Sequence, residues 1–144
     1  MGGAKRGGVD CKAASPFTCV EVCANPNQHN LPSMSSTTGV NGTMCVSFSL
    51  KNTGSIAGTE VAQVYISDDI ASVVVPNKLL QGYERVPLAP GEAKTVTIAI
   101  DVATQLRLLN REFNWVVEPG SFTVQVGGAS NSLKLSAKFR VVTE

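Results

Sequence analysis

From residue 44 onward the chain alternates apolar and polar side chains with period two, and this alternation sets the fold class. In "MCVSFSL", Met44, Val46, Phe48 and Leu50 point one way and Cys45, Ser47 and Ser49 the other. "TVTIAI" sets Val96, Ile98 and Ile100 against Thr95, Thr97 and Ala99, and "SFTVQV" sets Phe122, Val124 and Val126 against Thr123 and Gln125. In "LKLSAKFRV", Leu133, Leu135, Ala137, Phe139 and Val141 alternate with Lys134, Ser136, Lys138 and Arg140. Successive side chains of an extended strand leave opposite faces, so each segment reads as a strand with one wet face. "FTCVEVC" reads as a first strand, with Thr18, Val20 and Val22 facing opposite to Cys19, Glu21 and Cys23. "EVAQVYI", "LLQGYERV" and "FNWVV" are further strands, and only the short "ATQLRLLNREF" contends for a helix.

Turn chemistry separates these runs: "KNTGSIAG", then Pro90-Gly91, Pro119-Gly120 and "GGASN". Short strands at regular spacing with Gly/Pro turns predict an all-β, antiparallel β-sandwich of about seven strands. At 144 residues the chain is one domain's length. Residues 1–16 read as a flexible Gly-rich arm and 17–144 as the sandwich, with a long polar loop over 24–43.

Charge narrows the partners. Twelve basic against eleven acidic residues leave a net charge of +1, which gives no footprint for nucleic acid or an anionic membrane. No apolar run approaches the ~18 residues of a transmembrane helix. The opening "MGGAKRGG" lacks the apolar stretch of a secretory signal, and Arg6 stands where a myristoylation site wants Ser or Thr.

Three blocks carry a family resemblance. "VSFSLKNTGSIAGTEVAQVYISD", "PNKLLQGYERVPLAPGEAKTVTIAI" and "FNWVVEPGSFTVQVGGAS" come in an order that resembles the fibronectin type III-like C-terminal domain of glycoside hydrolase family 3 enzymes, the β-glucosidases and β-xylosidases. The resemblance runs from about Val46 to Val142. It implies an immunoglobulin/fibronectin type III-like sandwich, a secreted setting and a carbohydrate-enzyme context. It departs at Val75, where bacterial relatives usually carry Arg before Pro76, and in the cysteine-bearing N-terminal quarter. Family 3 chemistry lies in other domains, so the resemblance implies a non-catalytic module that stabilises or packs against a catalytic domain.

The residues themselves point the same way. A glycosidase needs two carboxylates about 5–10 Å apart across one bond. Asp68 and Asp69 are adjacent and would face opposite ways, while Glu84, Glu92, Asp101, Glu112 and Glu118 are dispersed as surface charges. No catalytic residue, cofactor site or metal site is assigned. His29 with Cys19, Cys23 and Cys45 has the composition of a Cys₃His zinc site, but the spacing lacks the tight paired knuckles of zinc modules.

For a module of a mostly secreted family, Cys11, Cys19, Cys23 and Cys45 read as two disulfides. On the strand assignment Cys19, Cys23 and Cys45 all face outward. If their strands pair, Cys45 lies opposite Cys19 or Cys23, and the other takes Cys11. A Cys19–Cys23 bridge would have to span ~13 Å of extended strand. Asn41 in Asn41-Gly42-Thr43 is a glycosylation acceptor.

Two other functions compete with the accessory module. One is a glycosylated structural subunit of an extracellular fibre or array, in which copies of the chain add the arm's strand to a neighbour's sheet edge. The other is a carbohydrate-binding module, with Phe113 and Trp115 sharing a face as a sugar platform for glycans.

Overall fold

In this computed structural model residues 37–143 are described throughout. Ahead of them only the strand backbones at Lys5–Arg6, Val9–Asp10 and Phe17–Cys23 are described. Cys11 and His29 lie outside these residues. The expected arm (1–16) lies outside them apart from its two short strands, and the expected loop (24–43) lies outside them up to residue 36.

The elements in chain order are β1 (Lys5–Arg6), β2 (Val9–Asp10), β3 (Phe17–Cys23), β4 (Thr37–Gly39), β5 (Thr43–Lys51), β6 (Gly58–Asp68) and β7 (Leu79–Leu88). They continue with β8 (Ala93–Asp101), α1 (Val102–Gln105), β9 (Leu108–Leu109), β10 (Trp115–Val116), β11 (Gly120–Ala129) and β12 (Ser132–Val142). One sheet has the order β4-β12-β11-β6-β7 and the other β3-β5-β8, with β1–β2 and β9–β10 as separate antiparallel pairs. Among the described strands only β4 and β12 pair parallel. The seven long strands β3, β5, β6, β7, β8, β11 and β12 make the expected β-sandwich.

The alternation decides which side chains meet between the sheets. Met44, Val46, Phe48 and Leu50 of β5, and Val96, Ile98 and Ile100 of β8, are buried against Val64, Ile66, Phe122, Val124 and Val126 of the facing sheet. Each such side chain contributes ~1.5–3 kcal/mol on leaving water. Directly opposite each other, Phe122 of β11 and Phe139 of β12 stack with ring centroids 5.4 Å apart and planes at 16°. At β7, Gly82 lets the two sheets close, because a Cβ there would sit 2.6 Å from Ile98 Cγ2.

Side-chain amides and ammonium groups tie the turns. Asn52 Nδ2 donates to the carbonyls of Ile56 and Leu88, and its Oδ1 accepts from Gly54 N–H. Lys94 Nζ donates to the carbonyl of Pro87 on the free edge of β7, at 2.7 Å.

Four expectations change. The segment expected as loop 24–43 holds β4 at its end, followed by a tight turn in which Gly42 N–H donates to Gly39 O. The alternation in β3 is broken by a bulge between Thr18 and Glu21. By register Phe17 and Val22 stand opposite the core residues Leu50 and Val46, while Thr18 stands opposite Ser49, so Thr18 and Val22 do not share a face. "FNWVV" shrinks to Trp115–Val116, paired with Leu108–Leu109. The helical segment is one turn, capped by Asp101 accepting from Thr104 N–H. Beyond it Leu106 and Leu108 are both buried, a spacing of two that extended chain satisfies and a continuing helix does not.

Candidate functional site

The long strands deliver two connections to the same end of the sandwich. β6 ends and β11 begins there, with Phe122 opposite Asp68, so residues 69–78 and 102–119 meet. Glu118 accepts from both the backbone N–H (3.0 Å) and the hydroxyl of Ser72, joining the two connections. Gln81 and Gln105 exchange hydrogen bonds through side-chain amides and main-chain carbonyls at 2.7–2.8 Å, which fixes α1 to β7. Between these supports lies a small, open cleft of about 50 Å³. Leu79, Leu108, Val75 and Pro76 line it with Asp68 and Arg107.

The adjacent acids Asp68 and Asp69 have different surroundings. Asp69 accepts from Ser121 Oγ (2.9 Å), Thr123 Oγ1 (2.7 Å) and Lys138 Nζ (2.9 Å). Burial works to raise its pKa, but the hydrogen bonds from Lys138, Thr123 and Ser121 and the charge of Lys138 outweigh that and hold it below the usual value. Asp68 accepts only a long hydrogen bond, 3.3 Å, from Ile70 N–H among the described contacts. Burial is the main cause pushing its pKa up; the Ile70 contact opposes this, and the negative charges of Glu118 and Asp69 add to it.

The signs predict opposite pH behaviour. Ionised Asp69 stabilises the fold above its unfolded pKa, and this contribution is lost as pH falls through its lowered folded pKa. Ionised Asp68 weakens the fold above its raised pKa, and the fold recovers that loss as pH falls through it. In urea titrations, Asp69→Asn is therefore less stable than wild type at pH 7, with a shallower loss toward acid. Asp68→Asn is more stable at pH 7. A loss of stability at pH 7 in Asp68→Asn would contradict the assignment.

The β9–β10 hairpin stands beside the cleft. Asn110 orders its turn: Oδ1 accepts from the N–H groups of Glu112 (3.0 Å) and Asn114 (2.9 Å), its N–H donates to Asn114 O, and its carbonyl accepts from Phe113 N–H. Phe113 has φ 62°, the only positive-φ non-glycine residue among the described residues, and is 82% exposed. It therefore lies in the turn, outside the strand alternation that would have put it on one face with Trp115. Trp115 is 60% exposed, with the Arg107 guanidinium 4.9 Å from its ring centroid. A left-handed backbone costs an L-residue with a Cβ ~1–2 kcal/mol. Phe113→Gly is therefore expected to stabilise the isolated chain by about 1 kcal/mol, read as a higher urea midpoint.

Exposed apolar side chains gather at this end. Among the described residues ten large hydrophobics are exposed; Ile56, Val61 and Tyr83 lie elsewhere, and the other seven fall within residues 70–80 and 109–115. Sequence reasoning missed Leu109, Arg107 and the Asp68 cleft, because each matters only through contacts between the two connections. Glu84, Glu92, Asp101 and Glu112 are exposed surface charges as expected, and two of them also serve locally: Asp101 caps α1, and Glu92 accepts from Ala89 N–H.

Of the cysteines, Cys45 is disulfide-bonded, and the register sets Cys23 directly opposite it. Cys45 lies on the face away from the core cluster, as expected, but is 1% exposed, so it is covered where Ser47 and Ser49 on the same face are half-buried. The bulge leaves Cys19 without a register partner in β5. Asn41 is exposed in the β4–β5 turn. Among the described residues no group of three or more His, Cys, Asp or Glu side chains could hold a metal ion, and no helix is long and apolar enough to cross a membrane.

Comparison with known proteins fits this architecture. The family model described as "Fibronectin type III-like domain" matches residues 60–130. A β-xylosidase of Formosa agariphila is 42% identical over 106 residues, 73% of this chain and 14% of that protein. Thermostable β-glucosidase B of Acetivibrio thermocellus is 39% identical over 101 residues, 70% of this chain and 13% of that protein. Among solved structures, a β-glucosidase of Listeria innocua in complex with glucose superposes with TM-score 0.71 at 31% identity, covering 90% of this chain and 16% of that one. A β-glucosidase of Erythrobacter marinus gives TM-score 0.73 at 27% identity, over 88% of this chain and 15% of that one. The chain thus spans about one-seventh of the length of these relatives.

Proposed function

Because residues 60–130 belong to the fibronectin type III-like domain family, in the form similar to part of family 3 β-glucosidases and β-xylosidases, we propose that this chain is the non-catalytic accessory module of such an enzyme. Its role is to stabilise the catalytic portion by packing against it, in a secreted setting. The observation that carries the reading is the crowding of exposed apolar side chains at one end of an otherwise well-buried sandwich. Contiguous exposed apolar surface marks an interaction site. The isolated chain is expected to leave a chromogenic β-glucoside intact, and removing residues 37–144 from the full-length enzyme is expected to lower its Tm. Turnover by the isolated chain, or an unchanged Tm after removal, would overturn the proposal.

Secretion brings a covalent expectation. Cys23 is the partner of Cys45, since opposed strand residues have Cβ atoms close enough for a disulfide, and Cys11 then takes Cys19. Non-reducing peptide mapping should recover a Cys23–Cys45 peptide pair; a Cys19–Cys45 pair would refute the scheme. Asn41, exposed in a turn, is the position expected to carry a glycan, seen as a deglycosylation-dependent mass shift in protein from a eukaryotic secretory host.

A further inference from the structure

We propose that the module docks through the end built by residues 69–80 and 106–118, with the β9–β10 hairpin as anchor, onto an apolar recess of the enzyme's catalytic portion that sends a lysine or arginine side chain into the Asp68 cleft. The inference rests on the accessory reading above and names the surface and chemistry of that contact.

Three independent observations converge on this end. The first is segregation, because seven of the ten exposed large hydrophobics belong to these two segments. The second is backbone strain. A bulky residue in the left-handed region is an outlier that persists only where surrounding structure enforces it, and such outliers cluster at functional positions. Here four hydrogen bonds, three accepted and one donated by Asn110, fix a turn that holds an aromatic ring out in solvent. Arg107 braces the indole of Trp115 two residues on, and Trp, Phe and Arg are residue types favoured in interface hot spots. Because the hairpin is already ordered, little conformational freedom is lost when it inserts.

The third observation is charge, which specifies the occupant. The cleft wall is mainly apolar, and Asp68 is its one acidic residue. Its acidic neighbours have partners, Asp69 with Lys138 and Glu118 with Ser72. The basic lining residue, Arg107, sits over Trp115. The charges acting on Asp68 are those of Glu118 and Asp69, both negative. A lysine or arginine fits such a site twice, with its aliphatic stem along Leu79 and Leu108 and its charged head at the carboxylate.

Hydroxyl-radical footprinting read by mass spectrometry tests this, comparing the isolated chain with the full-length enzyme that carries it. Phe113, Trp115 and Leu109 should label strongly in the isolated chain and lose most of that labelling in the enzyme, while Ile56 and Tyr83 label equally in both. Equal labelling of Phe113 and Trp115 overturns the proposal. Protection at Ile56 and Tyr83 instead means the module docks through another face, so the surface is wrong while the accessory reading stands. Protection nowhere sinks both. If cello- or xylo-oligosaccharide protects Phe113 and Trp115 in the isolated chain, the hairpin is a glycan platform and the docking proposal fails.

Two variants give a second readout. Phe113→Gly and Asp68→Asn each raise the unfolding midpoint of the isolated chain and lower that of the full-length enzyme. A midpoint that rises in both contexts overturns the proposal.

Discussion

Replacing Gly127 by alanine is expected to cost about 3 kcal/mol or more, the largest loss from adding a single methyl group to this fold. Gly127 lies in β11 where the ladder to β12 shifts register twice, between Val126 and Gly127 and again before Ala129. A Cβ on Gly127 would run into the carbonyl of Ser132 and lie 2.8 Å from Leu133 Cα. Both are backbone atoms of the paired strand, so no rotamer change relieves the overlap and the ladder itself must move. Such bulges bend a strand and increase its local twist, and here the bend brings β12 close against β11. The urea midpoint of Gly127→Ala should fall by on the order of 1–2 M with an unchanged slope. Gly58→Ala serves as the control, because a Cβ there meets nothing within 4 Å. It should stay within about 0.5 kcal/mol of wild type. Similar losses in both variants would mean that the Gly127 overlap is relieved by relaxation.

Phe122→Ala is expected to cost ~3–5 kcal/mol. The ring is 2% exposed, stacks on Phe139, and forms part of the wall of the Asp68 cleft. Its removal leaves a cavity beneath the two connections that make the candidate docking end. Phe139→Ala should cost a similar amount, and the double variant should lose less than the sum. The shortfall measures the ring–ring term, expected at ~0.5–1.5 kcal/mol beyond burial. Strict additivity would mean that each ring contributes through its own buried surface only.

Much of the sandwich was legible because its signal is local. The alternation in "MCVSFSL" or "TVTIAI" depends only on a strand's two faces, and Met44, Val46, Phe48 and Leu50, with Val96, Ile98 and Ile100, are buried as that pattern requires. Local patterns fail where distant contacts decide the outcome. "FTCVEVC" alternates without interruption in sequence, yet its register to β5 contains a bulge that no property of the seven residues announces. "FNWVV" carries strand formers, but Asn110 and Asn114 impose a turn that takes in Phe113 and leaves two residues paired. Those flanking asparagines were the available signal, since Asn tolerates and organises tight turns. Asp68 and Asp69 were legible as a pair, but their different environments depend on Ser121, Thr123 and Lys138, more than fifty residues downstream.

The hydrogen bond from Lys94 to Pro87 also bears on how the protein behaves when crowded. N–H and C=O of one strand residue point to the same side, and the Pro87 carbonyl points to Lys94 and so away from β6. At that rung of the open edge proline has no N–H to offer, and the carbonyl is already engaged. The opposite edge of the same sheet is β4, only three residues long. A second molecule approaching edge-on would find one border interrupted near its end and the other too short to template a ladder. Among the described residues, one proline, one lysine and a short β4 thereby leave the five-stranded sheet few free rungs for edge-on pairing.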